Sequence, residues 1–269
     1  MSQHLLFVMI SLFFISCTNK KLKKESFKKN EKDEVSTFSD SLKFREVIND
    51  EDISLKSKVF VNKELVLGKF SYRKDTTFVK VQPNYSSKEI YLNKEVYEAF
   101  KRMHKDALQE DVKLIIVSGT RSFYQQTAIW ERKWGVNKNL EPIDRSLKIL
   151  EYSSMPGTSR HHWGTDIDIN NLNNSYFDSG RGKKEYEWLT ANAHNYGFCQ
   201  VYTSKEQGRK GYNEEKWHWS YLPLATEYLR FYNKNINYND IVGFKGDSLS
   251  SKINVIEEYV NGIDLKCKQ

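Results

Sequence analysis

Two short segments, far apart in the chain, constrain its fold more than any other feature. Ser159-Arg160-His161-His162-Trp163-Gly164-Thr165-Asp166-Ile167-Asp168 offers an imidazole and a carboxylate, and Glu215-Lys216-Trp217-His218-Trp219 offers a second imidazole. Three of only six histidines fall within these two stretches. His161, Asp168 and His218 make a recurrent catalytic zinc set, which leaves a fourth tetrahedral position for water. Glu215 stands three residues before His218, where a carboxylate could take a proton from that water. A chain that uses this set must fold so that the two segments meet. His162 competes with His161 for the ligand position. Asp166 could accept a hydrogen bond from a ligand histidine or serve as an alternative ligand. Trp163 reads as packing.

The pattern around the segments predicts their elements. His161 and Asp168 are seven apart, which suits a loop feeding a strand, and Gly164 allows the close turn between them. Residues 165–170 alternate as a strand, with Asp166, Asp168 and Asn170 on one face and Ile167 and Ile169 on the other. Residues 216–221 alternate again, and on an ideal strand Glu215 would face away from His218. A turn before the strand, or a bulge, would re-aim it. Asn93 caps a helix over 94–109 with Val96, Phe100, Met103 and Ala107 as its apolar stripe. The run Leu114-Ile115-Ile116-Val117 predicts a fully buried central strand. Helices are expected over 124–134 and 183–196, and another opens at Pro223. Residues 59–61, 65–67 and 78–81 read as short extended pieces, 135–160 as a long loop walling a site, and 253–260 as a short helix or strand. The whole predicts an α+β domain with a small, mostly antiparallel sheet, flanking helices and a zinc-containing cleft.

The N-terminus differs in kind from this body. Residues 5–15 are an apolar run of signal-peptide length, followed by Ser16-Cys17. The segment resembles a bacterial lipoprotein signal, which implies a lipid anchor at Cys17. Residues 18–54 read as a polar, basic linker and 55–269 as the folded domain. Of the net charge of +7, six lysines against Glu25 give +5 over residues 20–29, the start of that linker. The rest of the chain sums to only about +2, too balanced to argue for a nucleic-acid surface. Cys199 and Cys267 are then an even pair in an oxidising compartment, free to bond or to stay as thiols.

Arg121 follows the apolar run in Ser118-Gly119-Thr120-Arg121-Ser122-Phe123, just before a predicted helix. A guanidinium there is suited to grip a carboxylate in bidentate fashion or to face a developing oxyanion. Gln126, one turn on, can point the same way.

Taken together, these segments resemble the VanY-like D-alanyl-D-alanine carboxypeptidases of the zinc peptidase family M15. Ser159, His161, Gly164 and Asp168 meet the family pattern Ser-x-His-x-x-Gly-x-x-x-Asp, and Glu215 and His218 meet Glu-x-x-His. Ser118 to Ser122, with Gln126, meet the upstream Ser-Gly-x-Arg-Ser segment. The resemblance implies that His161, Asp168 and His218 bind zinc and that Glu215 is the catalytic base. It further implies that Arg121, Gln126 and Ser159 meet the substrate. Asp166 departs from it, standing where a small residue is more usual.

The expected function is zinc-dependent removal of the terminal D-alanine from peptidoglycan stem peptides. An endopeptidase or an L,D-carboxypeptidase would use the same centre with a different cleft. A non-catalytic zinc-containing wall-binding lipoprotein would have no need of Glu215. The expected location is the cell envelope, on the periplasmic side, held to a membrane through Cys17.

Overall fold

Local signals fix most of the elements. The structure, a computed structural model, describes residues 60–206 and 208–268, which belong to one compact unit, Val59–Gln269. The expected signal, the anchor at Cys17 and the linker lie outside the described residues. Helix α1 (Lys63–Val66) replaces the strand expected over 65–67, because the Asn62 side chain accepts from the Leu65 amide at 2.8 Å and caps a turn. Strands β1 (Phe78–Lys80) and β2 (Tyr91–Asn93) pair antiparallel as a two-stranded sheet. Asn93 ends β2 and caps α2 (Lys94–Gln109), whose predicted stripe Val96, Phe100, Met103 and Ala107 is fully buried.

Strand β3 (Ile116–Ser118) leads into α3 (Phe123–Val136), which Ser122 and Gln125 begin with a reciprocal capping box. The segment expected as loop over 135–160 contains a further helix, α4 (Pro142–Leu150). Pro142 opens it rather than breaking it, since the first helical turn needs no amide hydrogen from that position. Ser146, Ile149 and Leu150 form its buried face.

A 3-10 turn, Arg160–Trp163, ends at Gly164 and delivers the chain to β4 (Asp166–Ile169). Gly164 has φ 70°, and a side chain there would collide with the Phe78 ring. Helix α5 (Gly180–Asn192) and the turn Ala193–Tyr196 precede β5 (Phe198–Gln200). Strand β6 (His218–Tyr221) then runs into α6 (Leu222–Asn235). Beyond it, residues Ile256–Val260 form a π-helical turn.

The main sheet has the order β3-β4-β6-β5, with every neighbour antiparallel. The predicted central strand is therefore at an edge. Leu114 and Ile116 are fully buried while Ile115 and Val117 are only partly so, one covered face rather than two. The true centre is the β4–β6 pair, in which all eight residues are buried. Cys199 and Cys267 are disulfide-bonded, with Cα atoms 5.9 Å apart, tying β5 to the C-terminal turn Leu265–Cys267. Among the described residues no helix is long and apolar enough to cross a membrane.

Candidate metal centre and its cleft

Antiparallel register assembles the floor of the site. Asp168 stands directly opposite His218, and Asp166 directly opposite Ser220, so these four side chains share one face of the β4–β6 pair. Ile167 and Trp219, also opposite each other, take the other face into the core. His161 comes from the 3-10 turn before β4. That turn is pinned to the end of β3, where the Arg121 amide donates to the His161 carbonyl at 3.0 Å.

The hydrogen bonds of each imidazole decide which nitrogen is left for a metal. His161 Nδ1 lies 2.9 Å from the Gly119 carbonyl, which can only accept, so Nδ1 carries the proton and Nε2 a lone pair. His161 Nε2 is 3.4 Å from Asp168 Oδ2. His218 Nε2 lies 2.8 Å from Asp166 Oδ2, leaving Nδ1 to face Asp168 Oδ1 at 3.1 Å and Glu215 Oε2 at 3.4 Å. The ligand atoms of His161, Asp168 and His218 all lie within 4.8 Å of one another, and all three residues are buried. Asp168 Oδ1 is a buried oxygen with no hydrogen-bond partner. Two imidazoles and a carboxylate converging on a buried, unsatisfied oxygen fit a zinc ion.

The competing ligands are placed elsewhere. His162 Nδ1 lies against the Arg121 carbonyl at 2.8 Å, and its Nε2 accepts from the Gly157 amide at 3.1 Å. Both nitrogens are spent on backbone, and burial pushes the ring down to a pKa of about 3. His162 is therefore a neutral structural brace. Asp166 sits behind the centre, accepting from Arg160 Nε at 2.9 Å, Thr165 Oγ1 at 2.7 Å and Ser220 Oγ at 2.8 Å as well as from His218. Its extra negative charge is balanced by Arg160, whose side chain is 1% exposed and lies 4.6 Å over the Trp163 ring. Trp163 is buried and donates from its indole to the Val66 carbonyl, as a packing residue does.

Electrostatics favour a cation at this point. Burial alone would lower the His218 pKa, but the carboxylates of Asp166, Asp168 and Glu215 around its ring override it and raise it well above the usual value. A bound metal would take the place of that proton, because both seek the same lone pair. Glu215 precedes β6 on a turn in which the His218 amide donates to the Glu215 carbonyl at 3.2 Å. That turn brings the Glu215 side chain beside the ligands despite its unfavourable strand parity. Burial raises the pKa of Glu215, with the nearby His218 acting in the opposite direction.

A cleft of about 740 Å³ opens over these groups, and its lining includes Arg121, Ser159, His161, Asp168, Glu215 and His218. Arg121 Nη1 donates to Gln126 Oε1 at 2.9 Å, and Gln126 Nε2 donates to the Ser154 carbonyl at 2.8 Å. Gln126 has no exposed surface, so it aims Arg121 from behind rather than lining the cleft. Arg121 Nε is buried and has no partner. Sequence reasoning missed Tyr202, whose ring lies 4.7 Å from that of His218, and Tyr212, which packs against Tyr202. It also missed Lys133 in the cleft wall. Lys133 follows Gln126 by seven residues on one helix, and that spacing is a usable signal.

The fold and the site thus define a buried His, Asp, His centre with an adjacent carboxylate, at the floor of a polar cleft. Residues 89–224 match the family described as VanY, D-alanyl-D-alanine carboxypeptidase, and the chain belongs to that family. It is 30% identical over 138 residues to YodJ of Bacillus subtilis (strain 168), covering 49% of this chain and 46% of that protein. A D-alanyl-D-alanine carboxypeptidase of Enterococcus faecium is 28% identical over 136 residues, 50% of this chain and 39% of that protein. The chain therefore spans less than half the length of these curated relatives. Among solved structures, VanYB in complex with D-alanine-D-alanine aligns with TM-score 0.46 and 20% identity, over 62% of this chain and 88% of that one. The LdcB LD-carboxypeptidase aligns with TM-score 0.48 and 25% identity, over 66% and 82%.

Proposed function

We propose that this protein hydrolyses peptidoglycan stem peptides as a zinc-dependent D-alanyl-D-alanine carboxypeptidase. The observation that carries the reading is the convergence of His161, Asp168, His218 and Glu215 at one buried point of a cleft that Arg121 also lines. His161 Nε2, His218 Nδ1 and an Asp168 carboxylate oxygen would hold the metal. When bound, zinc acidifies water and acts as a Lewis acid towards the scissile carbonyl. Glu215 Oε2 takes the proton from water and returns it to the leaving amine, and its raised pKa suits both transfers. Asp166 fixes the tautomer of His218 through Nε2. Arg121, aimed by Gln126, offers the fork that holds the terminal carboxylate, while Ser159 lines the same cleft. The disulfide supports an oxidising compartment, in keeping with action in the cell envelope. The anchor at Cys17, the linker over 18–54 and the peptidase domain from 55 complete this proposal.

The test compares kcat/KM for a peptide ending in D-Ala-D-Ala with that for its C-terminal amide, in wild type and in Arg121→Ala. The reading expects poor cleavage of the amide by wild type and a much smaller acid preference in the variant. Equal wild-type cleavage of the two peptides would replace the carboxypeptidase by an endopeptidase. An oxyanion role for Arg121 would instead depress acid and amide alike.

A further inference from the structure

The cleft is electrically divided. Its lining carboxylates are Asp168 and Glu215, both at the metal, whereas Lys88, Arg121, Arg132 and Lys133 line it elsewhere. Lys133 is the unusual member. It projects from α3 on the same side as Gln126 and Ile129, is half-buried, and donates to Ser153 Oγ at 2.6 Å. Among the described residues neither Lys133 nor Arg132 forms an ion pair. Burial lowers the Lys133 pKa most, Arg132 and Arg121 lower it too, and the Glu215 carboxylate acts in the opposite direction. A half-buried ammonium that is bonded only to a neutral hydroxyl, with no carboxylate in ion-pair contact, is further stabilised by an anion arriving in the cleft.

The helix sets the spacing. Seven residues separate Gln126 from Lys133, roughly 10 Å along the axis. Arg121, held on Gln126, and Lys133, held on Ser153, are thus two cationic groups at different points of one cleft wall.

We infer that Lys133, clamped on Ser153, is a second anion-holding point of the cleft that takes a carboxylate of the substrate peptide. This rests on the peptidase reading for its ligand and extends it to substrate choice. The carboxylate has two possible sources. It is a side-chain carboxylate on a residue upstream of the scissile bond if Arg121 holds the terminus, and the terminus itself if Arg121 faces the oxyanion.

The test measures binding of four peptides to the zinc-loaded full chain carrying Glu215→Ala, so that turnover does not intervene. The peptides end in D-Ala-D-Ala as free acid or amide, each with a third-from-last residue bearing a side-chain carboxylate or its carboxamide. Adding Lys133→Met should weaken binding of the doubly acidic peptide by about ten- to a hundredfold. The weakening should be at least several times smaller for whichever amidation removes the partner carboxylate, and that peptide identifies the source. Lys133→Arg should recover part of the loss, since it restores the charge at the same place. Zinc content and the melting temperature, read alongside, exclude a folding defect. Equal weakening across all four peptides, no weakening, or no binding of any peptide overturns the assignment. Turnover by the protein with Glu215 intact is scored separately. Carboxylate-dependent binding without any cleavage would leave Lys133 in place and remove the peptidase reading instead.

Discussion

The floor and the wall of the cleft are built on opposite principles. The floor is the β4–β6 pair, where Asp166, Asp168, His218 and Ser220 are fixed by strand register and each buried acid faces a histidine or an arginine. The wall is the loop after β3 and the helix α3, where Arg121 and Lys133 hold only neutral partners, Gln126 and Ser153. A site whose negative charges are locked in a sheet is preorganised for a cation. Positive charges tethered to neutral side chains keep their capacity for an anion that arrives from outside. The same cleft is thereby suited to bind a metal permanently and a carboxylate transiently.

The sharpest way to break this comparison is to remove a ligand from the floor. His161→Ala and His218→Ala should each abolish stoichiometric zinc, measured by metal analysis of the purified protein. His162→Ala, one residue from His161, should keep its zinc and lose about 1–3 kcal/mol of stability, because the Gly157 amide and Arg121 carbonyl lose their partner. Full zinc in His218→Ala would show that another set of side chains holds the metal.

Glu215→Ala separates the chemistry from the binding. It should retain zinc and fold normally while turnover falls by ~10²–10⁴-fold, the usual contribution of a general base. Near-normal turnover would take the proton-transfer role away from Glu215.

A milder perturbation tests the charge placed behind the metal. Asp166→Asn keeps the shape but removes the negative charge that Arg160 balances and His218 contacts. Zinc affinity, read by competition with a chelator, should weaken roughly 10- to 100-fold. An unchanged affinity would reduce Asp166 to a packing residue.

The smallest effect on the site is expected from the disulfide, which joins β5 to the C-terminal turn and whose Cys199 stands opposite Ser220 rather than opposite a ligand. Replacing Cys199 and Cys267 by Ser should lower stability by about 2–4 kcal/mol in denaturant titrations with zinc stoichiometry unchanged. Loss of zinc in that variant would mean that the edge strand β5 controls the ligand strand β6.

The sequence by itself determined the donor types and their order along the chain. The cluster of His161, Asp168 and His218 was legible because zinc takes few side chains and the chain offers few histidines. The helix Lys94–Gln109 was legible because its cap and its stripe are local. Tertiary structure decided whatever depended on a neighbour. Strand alternation put Asp166 on the face of Asp168, but only the opposite strand and the buried Arg160 made it a support rather than a ligand. His161 and His162 were equivalent in sequence until backbone carbonyls chose the nitrogen each could offer. The apolar run at 114–117 reads as a central strand because hydrophobicity reports burial, while position in a sheet is set by pairing partners, which put it at the edge. Helix α4 was hidden by Pro142, whose effect depends on whether it opens a helix or falls inside one. Composition and period fix what a segment can be; hydrogen-bond partners that arrive from distant segments fix what it does.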